Sequence, residues 1–212
     1  FTVALLHACH AFYGKMVSKK QLAMESIHIE QNMINETVGS QDQVAAAYGG
    51  INHILFKQNG EIEVRPLILS VQRSEELNSN LMLFYTGIKR TASEVADSFV
   101  KKLESKDQLL HKMQAMVEQG IEILPNEQNL DAFGELLHEA WVLKRGLSSQ
   151  ISNNTVDDYY NRALIKGALG GKILGAGGGG FLLLFVPPEK QNQVREELSE
   201  LLHIPFRFEF GG

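Results

Sequence analysis

Apolar residues recur along the chain with two periods, and these periods predict a mixture of helices and strands. Leu5, Cys9, Phe12 and Met16 follow one another at helical spacing near the start of the chain. No capping residue or loop precedes this helix, so we expect an N-terminal portion of the natural protein to lie outside this sequence. A second helix is predicted from residue 18, where a Ser and a Gln three residues later have the spacing of a capping box, to about residue 36.

The middle of the chain predicts a hairpin and then a longer α+β region. Residues 51–57 and 61–67 have strand character and are joined through Asn59-Gly60, a strong hairpin signal. The polar residues 72–80 are interpreted as a linker, and the apolar residues 81–85 predict the next strand. Three longer helices are predicted after it, over 91–120, 130–145 and 155–166.

The last quarter of the chain predicts two strands around a glycine-rich loop, a helix after Pro187-Pro188 and a final strand over 205–210. Helices that pack on one face of an antiparallel sheet form an α+β layered structure, which is the predicted fold class. We expect two domains, residues 1–72 and 73–212.

Composition narrows the possible partners and the cellular setting. The 212 residues are 44% hydrophobic and 21% charged, which is sufficient for a substantial core. The net charge of −5 gives no general attraction to nucleic acid or to an anionic membrane, and no apolar run approaches the length of a membrane span. The single cysteine, Cys9, excludes an internal disulfide and a cysteine-based zinc site and favours the reducing cytoplasm.

The glycine-rich loop is the strongest candidate for chemistry. Five of the six residues from Gly175 to Gly180 lack a side chain, and Ala176 is the exception. Glycine is costly in conformational entropy, so such a run favours close approach of the backbone to a ligand, of which phosphate is the first choice. A dinucleotide-binding loop would be followed by a helix, but a strand is predicted after this loop. A P-loop would have Ser or Thr after Lys172, but Ile173 follows it. A tight turn between strands is the alternative.

Glu30 is an acidic residue in an apolar pattern. It lies on the same predicted helix face as Ile27 and Ile34. Burial of a carboxylate there would require a cation or hydrogen-bond donors, which indicates a metal ion or a basic side chain. A glutamate at the edge of the face that bends towards solvent is the alternative.

Asp42 is predicted in the first turn of a short helix. Ser40 and Gln43 have the spacing of a capping box, and the helix dipole would keep a carboxylate in this turn ionised. Such a group could serve as a base or orient a hydroxyl, although Asp is also common in first turns without any such role.

A third candidate site follows the strand at residues 81–85. Thr86, Lys89 and Arg90 bring a hydroxyl and two cations ahead of Thr91 and Glu94, which have the spacing of a capping box. Cations beside a helix N-terminus suit an anion. Solvated surface charges are the alternative.

Several of these segments together resemble the GHMP small-molecule kinases. Residues 172–180, Lys-Ile-Leu-Gly-Ala-Gly-Gly-Gly-Gly, resemble the third motif of that family, and residues 39–43, Gly-Ser-Gln-Asp-Gln, are similar to the segment that holds its catalytic aspartate. Residues 41–50, which end in Gly50, and residues 85–90 most resemble the heptose kinase branch, which phosphorylates the anomeric hydroxyl of D-glycero-D-manno-heptose 7-phosphate. Fucokinase domains are near relatives.

The resemblance implies a fold and a set of site residues. The fold would be the GHMP kinase fold, with part of the N-terminal domain followed by a ferredoxin-like C-terminal α/β sandwich. Asp42 would be the catalytic carboxylate, and Glu30 would bind magnesium. The glycine-rich loop would lie near the phosphates of ATP or brace another ATP loop. Gly50, Thr86, Lys89 and Arg90 would contact the sugar phosphate.

The resemblance also implies the reactants and leaves the function partly open. The cofactors would be ATP and Mg²⁺, the substrate would be a small sugar phosphate, and a homodimer is a further expectation. The family's first two motifs, including the ATP loop rich in Gly and Ser, are not found in this sequence. Two alternatives to a heptose kinase therefore stay open: a kinase of an unphosphorylated sugar such as fucose, and a GHMP-fold domain that binds a ligand without turnover.

Overall fold

The computed structural model describes residues 1–89, 106–175 and 177–212. These residues divide into two compact units, Phe1–Ile68 with Phe208–Gly212, and Leu69–Arg207. Each unit combines helices with antiparallel strands, which confirms the predicted α+β class. The domain boundary after residue 72 stays a prediction. Among the described residues, none of the helices has the length and apolar composition of a membrane span.

The first unit consists of short helices and one hairpin. In chain order the elements are α1 (Thr2–Phe12), α2 (Lys19–His28), a π-helical turn (Ile29–Met33), α3 (Gln41–Tyr48), β1 (Asn52–Phe56) and β2 (Ile62–Pro66). The hairpin predicted at Asn59-Gly60 is present, and Phe56 pairs with Ile62 across it. The Ser18 hydroxyl accepts a hydrogen bond from the Gln21 amide at 3.1 Å, so the predicted start of α2 is confirmed.

The core of the first unit lies among α1, α2 and α3. Its buried residues are Val3, Leu22, Ala23, Ile27, Val44 and Ala47. The predicted first helix is present, but its residues with helical spacing do not form the buried face: Leu5 and Phe12 are exposed, whereas Val3 is buried. The second helix ends earlier than predicted, because the α-helical hydrogen bonds give way to the π-helical turn after His28.

The second unit packs helices on a four-stranded sheet. In chain order the elements are α4 (Val71–Ser79), β3 (Leu81–Tyr85), α5 (Asp107–Ile123), α6 (Asp131–Arg145), α7 (Asn154–Ile165), β4 (Gly170–Ile173), β5 (Phe181–Phe185), a 3₁₀ turn (Pro188–Lys190), α8 (Gln191–Glu197) and β6 (Leu202–Ile204). The strand order is β4-β5-β3-β6, and every neighbouring pair is antiparallel. Trp141, Tyr160, Phe84 and Ile173 are among the fully buried core residues.

The predicted linker at residues 72–80 is wrong, because most of this stretch belongs to the helix α4. The Ser70 hydroxyl caps the helix by accepting from the Arg73 amide at 3.1 Å. Leu77 is buried, and the buried Arg73 guanidinium donates to the backbone carbonyls of Ile123 and Leu124 at 3.1 and 2.8 Å. Although its sequence is polar, α4 therefore has a buried face, which consists of Leu77 and of Arg73 bonded to the C-terminal end of α5.

Two further predictions need correction or lie outside the described residues. The final strand is Leu202–Ile204 and not 205–210. It ends before Pro205, which has no amide hydrogen for a further ladder bond. The start of the helix predicted over 91–120, with the capping box of Thr91 and Glu94, lies outside the described residues, in which α5 begins at Asp107.

Candidate functional site

The glycine-rich loop connects two paired strands, as the sequence predicts. Ile173 of β4 pairs with Leu182 of β5, and the Leu174 amide donates to the Phe181 carbonyl at 2.9 Å. The chain therefore enters and leaves the loop through neighbouring strands of one sheet. Ala176, which we expected to be part of the phosphate loop, lies outside the described residues.

Glycine is required in this loop for two different reasons. Gly175, Gly177, Gly178 and Gly180 have positive φ angles of 73°, 114°, 76° and 85°, a region that other residues rarely adopt. Gly179 is not among the glycines with a positive φ angle, but a Cβ atom there would lie 2.6 Å from the carbonyl oxygen of Ile88. These five positions are therefore limited to glycine, four by their conformation and Gly179 by the close approach of a neighbouring backbone.

One side of the loop is held by the segment that follows β3. The Gly180 amide donates to the Ile88 carbonyl at 3.0 Å. The Gly180 carbonyl accepts from the amide of Thr86 and from its hydroxyl, both at 2.9 Å. The buried Thr86 hydroxyl thus has its hydrogen engaged by the loop. Its predicted contact with a substrate stays a prediction.

The other side of the loop is held by the segment between α6 and α7. The Gly178 amide donates to the Ile151 carbonyl at 2.8 Å, and the side-chain amide of Asn153 donates to the Gly178 carbonyl, also at 2.8 Å. The Lys144 ammonium group, in the last turn of α6, donates to the Gly175 carbonyl at 2.7 Å. These contacts hold the loop backbone against the segment between α6 and α7 and against the end of α6.

Asp42 lies in the first turn of α3, as predicted, and its side chain is exposed. The predicted capping box of Ser40 and Gln43 is wrong, because Ser40 makes no side-chain cap. Its hydroxyl instead accepts a hydrogen bond from the Gln31 side chain at 3.1 Å. Gln43 is turned into the protein, and 5% of its surface is exposed.

Glu30 lies in the π-helical turn and is half-buried. The side-chain amide of Gln43 donates to one of its carboxylate oxygens, so the hydrogen-bond donor required by a partly buried carboxylate is present. The π-helical turn rotates the following residues away from the predicted helix face, since Ile27 is buried and Ile34 is 58% exposed. The residue that bonds to Glu30, Gln43, directly follows Asp42 in the chain.

The first unit also contains Gly50, for which we expected a substrate contact. Gly50 has a φ angle of 71°, and its amide donates to the Glu209 carbonyl at 2.6 Å. The Gly50 amide is therefore used by the C-terminal residues, and the substrate contact stays a prediction. In the second unit Lys89 is exposed, and Arg90 lies outside the described residues.

The described residues contain no group of three or more His, Cys, Asp or Glu side chains that could hold a metal ion. Magnesium in phosphoryl-transfer sites needs fewer protein ligands, since it is bound through one or two carboxylates together with substrate phosphates and water. The half-buried Glu30, oriented by Gln43, has the chemistry for such a single-carboxylate contact.

Sequence reasoning missed two residues that hold these candidate groups. The local spacing predicts a helix-capping role for Gln43, but its side chain contacts Glu30. Asn153 caps α7, and an Asn just before a predicted helix is a recognisable capping residue. Its second contact, with the glycine-rich loop, has no local sequence signal.

Comparisons with known proteins agree with this geometry. Residues 120–204, which include the glycine-rich loop, match the family model "GHMP kinases C terminal". The chain is 29% identical over 200 residues to the D-glycero-alpha-D-manno-heptose 7-phosphate kinase of Campylobacter jejuni, with 93% of this chain and 59% of the relative covered. It is 31% identical over 190 residues to the bifunctional fucokinase/GDP-fucose pyrophosphorylase of Arabidopsis thaliana, and this match covers 86% of this chain and 18% of the relative.

Solved structures show the same fold. A D-glycero-D-manno-heptose 1-phosphate kinase from Bacteroides thetaiotaomicron matches with a TM-score of 0.75 at 24% identity. The match covers 97% of this chain and 57% of the kinase chain. The mevalonate kinase of Methanococcus jannaschii matches with a TM-score of 0.74 at 22% identity, and the match covers 98% of this chain and 62% of the mevalonate kinase chain. The chain spans less than two thirds of the length of each of these relatives. It therefore has the fold of these kinases, and residues 120–204 match the model of the GHMP kinase C-terminal domain.

Proposed function

We propose that the full-length protein is an ATP-dependent sugar kinase that phosphorylates the anomeric hydroxyl of D-glycero-D-manno-heptose 7-phosphate, giving the 1,7-bisphosphate for nucleotide-activated heptose synthesis. One observation carries the proposal. The similarity to the heptose 7-phosphate kinase extends over 93% of the chain and so includes both the Glu30–Asp42 region and the glycine-rich loop. Similarity confined to the C-terminal domain would support the fold and a nucleotide site alone.

In the proposed reaction Asp42 is the catalytic carboxylate. The anomeric oxygen forms a bond to the γ-phosphorus of ATP, the bond from that phosphorus to the bridging oxygen breaks, and ADP leaves. The hydroxyl proton passes to the Asp42 carboxylate, which is exposed in the first turn of α3. Positioning and charge neutralisation supply most of the catalysis in such transfers.

Glu30 is the proposed magnesium ligand. A bound Mg²⁺ ion would neutralise charge on the phosphates that are transferred and released. The hydrogen bond from Gln43 fixes one carboxylate oxygen of Glu30 and leaves the other available. Gln43 is therefore proposed to orient Glu30 and is not itself placed in contact with the reactants.

The glycine-rich loop is proposed to present backbone to the ATP phosphates. Its positive-φ residues expose backbone without side chains, and its hydrogen bonds with Ile88, Ile151 and Asn153 hold it on both sides. A preformed loop saves the ordering entropy that a flexible one would lose on binding. The amides of Gly178 and Gly180 are engaged internally, so phosphate would be met by other backbone groups of the loop.

The 7-phosphate of the sugar needs a cation of its own. Lys89 and Arg90 are proposed for it, because they follow Thr86, whose hydroxyl is bonded to the glycine-rich loop. A second candidate function, phosphorylation of an unphosphorylated sugar such as fucose, is favoured by the 31% identity with the bifunctional fucokinase.

The deciding experiment compares the two sugars. The full-length protein is assayed with ATP and magnesium on heptose 7-phosphate and on fucose, with release of ADP as the readout. We expect turnover of heptose 7-phosphate and little of fucose. Efficient phosphorylation of fucose without turnover of heptose 7-phosphate would overturn the proposal in favour of the second candidate, and turnover of neither sugar would favour a domain that binds without catalysis.

A further inference from the structure

Asn153 stands between a helix and the glycine-rich loop. It is the N-cap residue of α7, with extended backbone angles of φ −148° and ψ 168°. Its side-chain oxygen accepts a hydrogen bond from the Val156 amide at 3.0 Å. This contact alone would be an ordinary helix cap.

The other end of the same side chain reaches the loop. Its amide nitrogen donates to the Gly178 carbonyl at 2.8 Å, while the Gly178 amide donates to the carbonyl of Ile151 at 2.8 Å. Both backbone groups of Gly178 are therefore bonded to the segment 151–153. Ile151 is fully buried in the core of the second unit, so this segment is a firm support for the loop.

We infer that Asn153 is a positioning residue, which holds the glycine-rich loop in a fixed position relative to the N-terminus of α7. The inference rests on the proposed function in one respect: the position of the loop affects catalysis only if the loop serves nucleotide binding. Asn153 does not itself contact the reactants. It acts through Gly178, in the middle of the loop.

The chemistry of the two contacts explains why the residue is asparagine. One end of the side chain must accept from a helix amide, and the other end must donate to a carbonyl. Aspartate can cap the helix but cannot donate to Gly178. Serine can cap the helix, but its side chain is shorter and has a single polar atom. The two roles can therefore be separated by substitution.

The test uses Asn153→Asp in the full-length protein, because this variant keeps the cap and loses the bond to the loop. Hydrogen–deuterium exchange measured by mass spectrometry without nucleotide should show faster exchange in peptides that cover residues 175–180. ATP binding, measured by calorimetry and by the KM for ATP, should weaken by a factor on the order of ten, as expected for the loss of one hydrogen bond in a preformed site. The kcat should fall less than the affinity.

Ser70→Ala is the matched control. Ser70 caps α4 through the Arg73 amide at 3.1 Å, so its loss lowers stability through a missing cap elsewhere in the same unit. Exchange at residues 175–180 and the KM for ATP should stay at the wild-type values in this variant. Asn153→Ala, which loses both contacts, should show the faster exchange and also a lower melting temperature than Asn153→Asp.

The two readouts separate the inference from the function on which it rests. Unchanged exchange at residues 175–180 in Asn153→Asp would overturn the positioning role, whatever the kinase activity. Faster exchange with unchanged ATP affinity would support the role of Asn153 in holding the loop and would overturn the proposed role of the loop in nucleotide binding.

Discussion

The fold places the two candidate carboxylates in different environments. Asp42 is exposed in a helix first turn, where the helix dipole stabilises negative charge. Glu30 is half-buried and receives a hydrogen bond from Gln43. An exposed carboxylate can approach a substrate hydroxyl, whereas an oriented carboxylate suits a fixed cation. These surroundings support the proposed assignment of base and metal ligand.

Asp42→Asn tests this assignment with almost no change of shape. The amide cannot take the hydroxyl proton, so kcat with ATP and the sugar phosphate should fall by about 100-fold or more. The melting temperature should change little, because the side chain is exposed. Glu75→Gln, which removes the same charge from an exposed position in the second unit, should keep full activity. Near-normal turnover in Asp42→Asn would show that another group is the base.

At the residue scale the sequence predicted positions better than partners. The capping-box spacing of Ser40 and Gln43 predicts Asp42 in a first helical turn, and the structure places it there although the box itself does not form. The contact between Glu30 and Gln43 was missed because Gln43 also fits a capping box with Ser40, and local spacing cannot show whether such a side chain turns inward. The partner on a neighbouring helix decides the outcome.

At the scale of elements the glycine-rich loop was predictable and its supports were not. Apolar runs on both sides and the stop at Pro187-Pro188 indicate strand, loop and strand, and β4 and β5 pair as expected. The residues that hold the loop lie far away along the chain: Thr86 is 94 residues from Gly180, and Asn153 is 25 residues from Gly178. Such contacts leave no periodic pattern.

The helix α4 shows the opposite error, in which composition concealed an element. Its polar residues indicate a linker, because arginine is usually exposed and the sequence does not show that this one is buried. The Arg73 guanidinium is instead buried against the carbonyls at the end of α5, which gives α4 a second buried position beside Leu77. Helix-end carbonyls need such donors, but the sequence does not show which side chain supplies them.

Gly179→Ala tests whether the loop must lie against the segment after β3. The new Cβ would lie 2.6 Å from the Ile88 carbonyl oxygen, so the loop or that segment must shift. We expect a loss of about 1–3 kcal/mol in the free energy of unfolding and weaker ATP binding. Chemical denaturation and calorimetry measure the two effects.

Gly180→Ala is the comparison within the same loop. A Cβ there meets nothing within 4 Å, so the variant bears only the strain of a φ angle of 85°, about 1–2 kcal/mol. ATP affinity should therefore fall more in Gly179→Ala than in Gly180→Ala. Equal affinities in the two variants would mean that the contact with Ile88 does not set the loop geometry used by the nucleotide.

At the scale of the whole molecule, local patterns predicted the α+β class but not the path of the C-terminal residues. Phe206, Phe208 and Phe210 alternate with polar residues, which is typical of a half-buried strand. Residues 208–212 instead belong to the first unit, where the Glu209 carbonyl accepts from the Gly50 amide at 2.6 Å. Contacts between residues so distant in sequence depend on the complete topology, which periodicity does not encode.

Gly49 is the residue at which this long-range contact can be tested. Its φ angle is 64°, and a Cβ there would overlap the Gly212 amide nitrogen and lie 2.8 Å from the Gly212 Cα. Gly14 offers a matched control in the same unit, since its φ angle is 63° and a Cβ there meets nothing within 4 Å. The two glycines thus share a positive φ angle and differ in the neighbouring backbone, and Gly49 also has a ψ angle of 173°, a combination that residues other than glycine rarely adopt.

We expect Gly14→Ala to lower the free energy of unfolding by about 1–2 kcal/mol through backbone strain alone. Gly49→Ala should lose about 1–3 kcal/mol more, because the φ and ψ angles of Gly49, 64° and 173°, strain alanine and because the C-terminal residues must move away from the new Cβ. The Gly50 amide would then lose its bond to Glu209, so its hydrogen exchange should become faster in Gly49→Ala and stay slow in Gly14→Ala. Equal destabilisation with unchanged exchange would show that residues 208–212 do not stabilise the first unit.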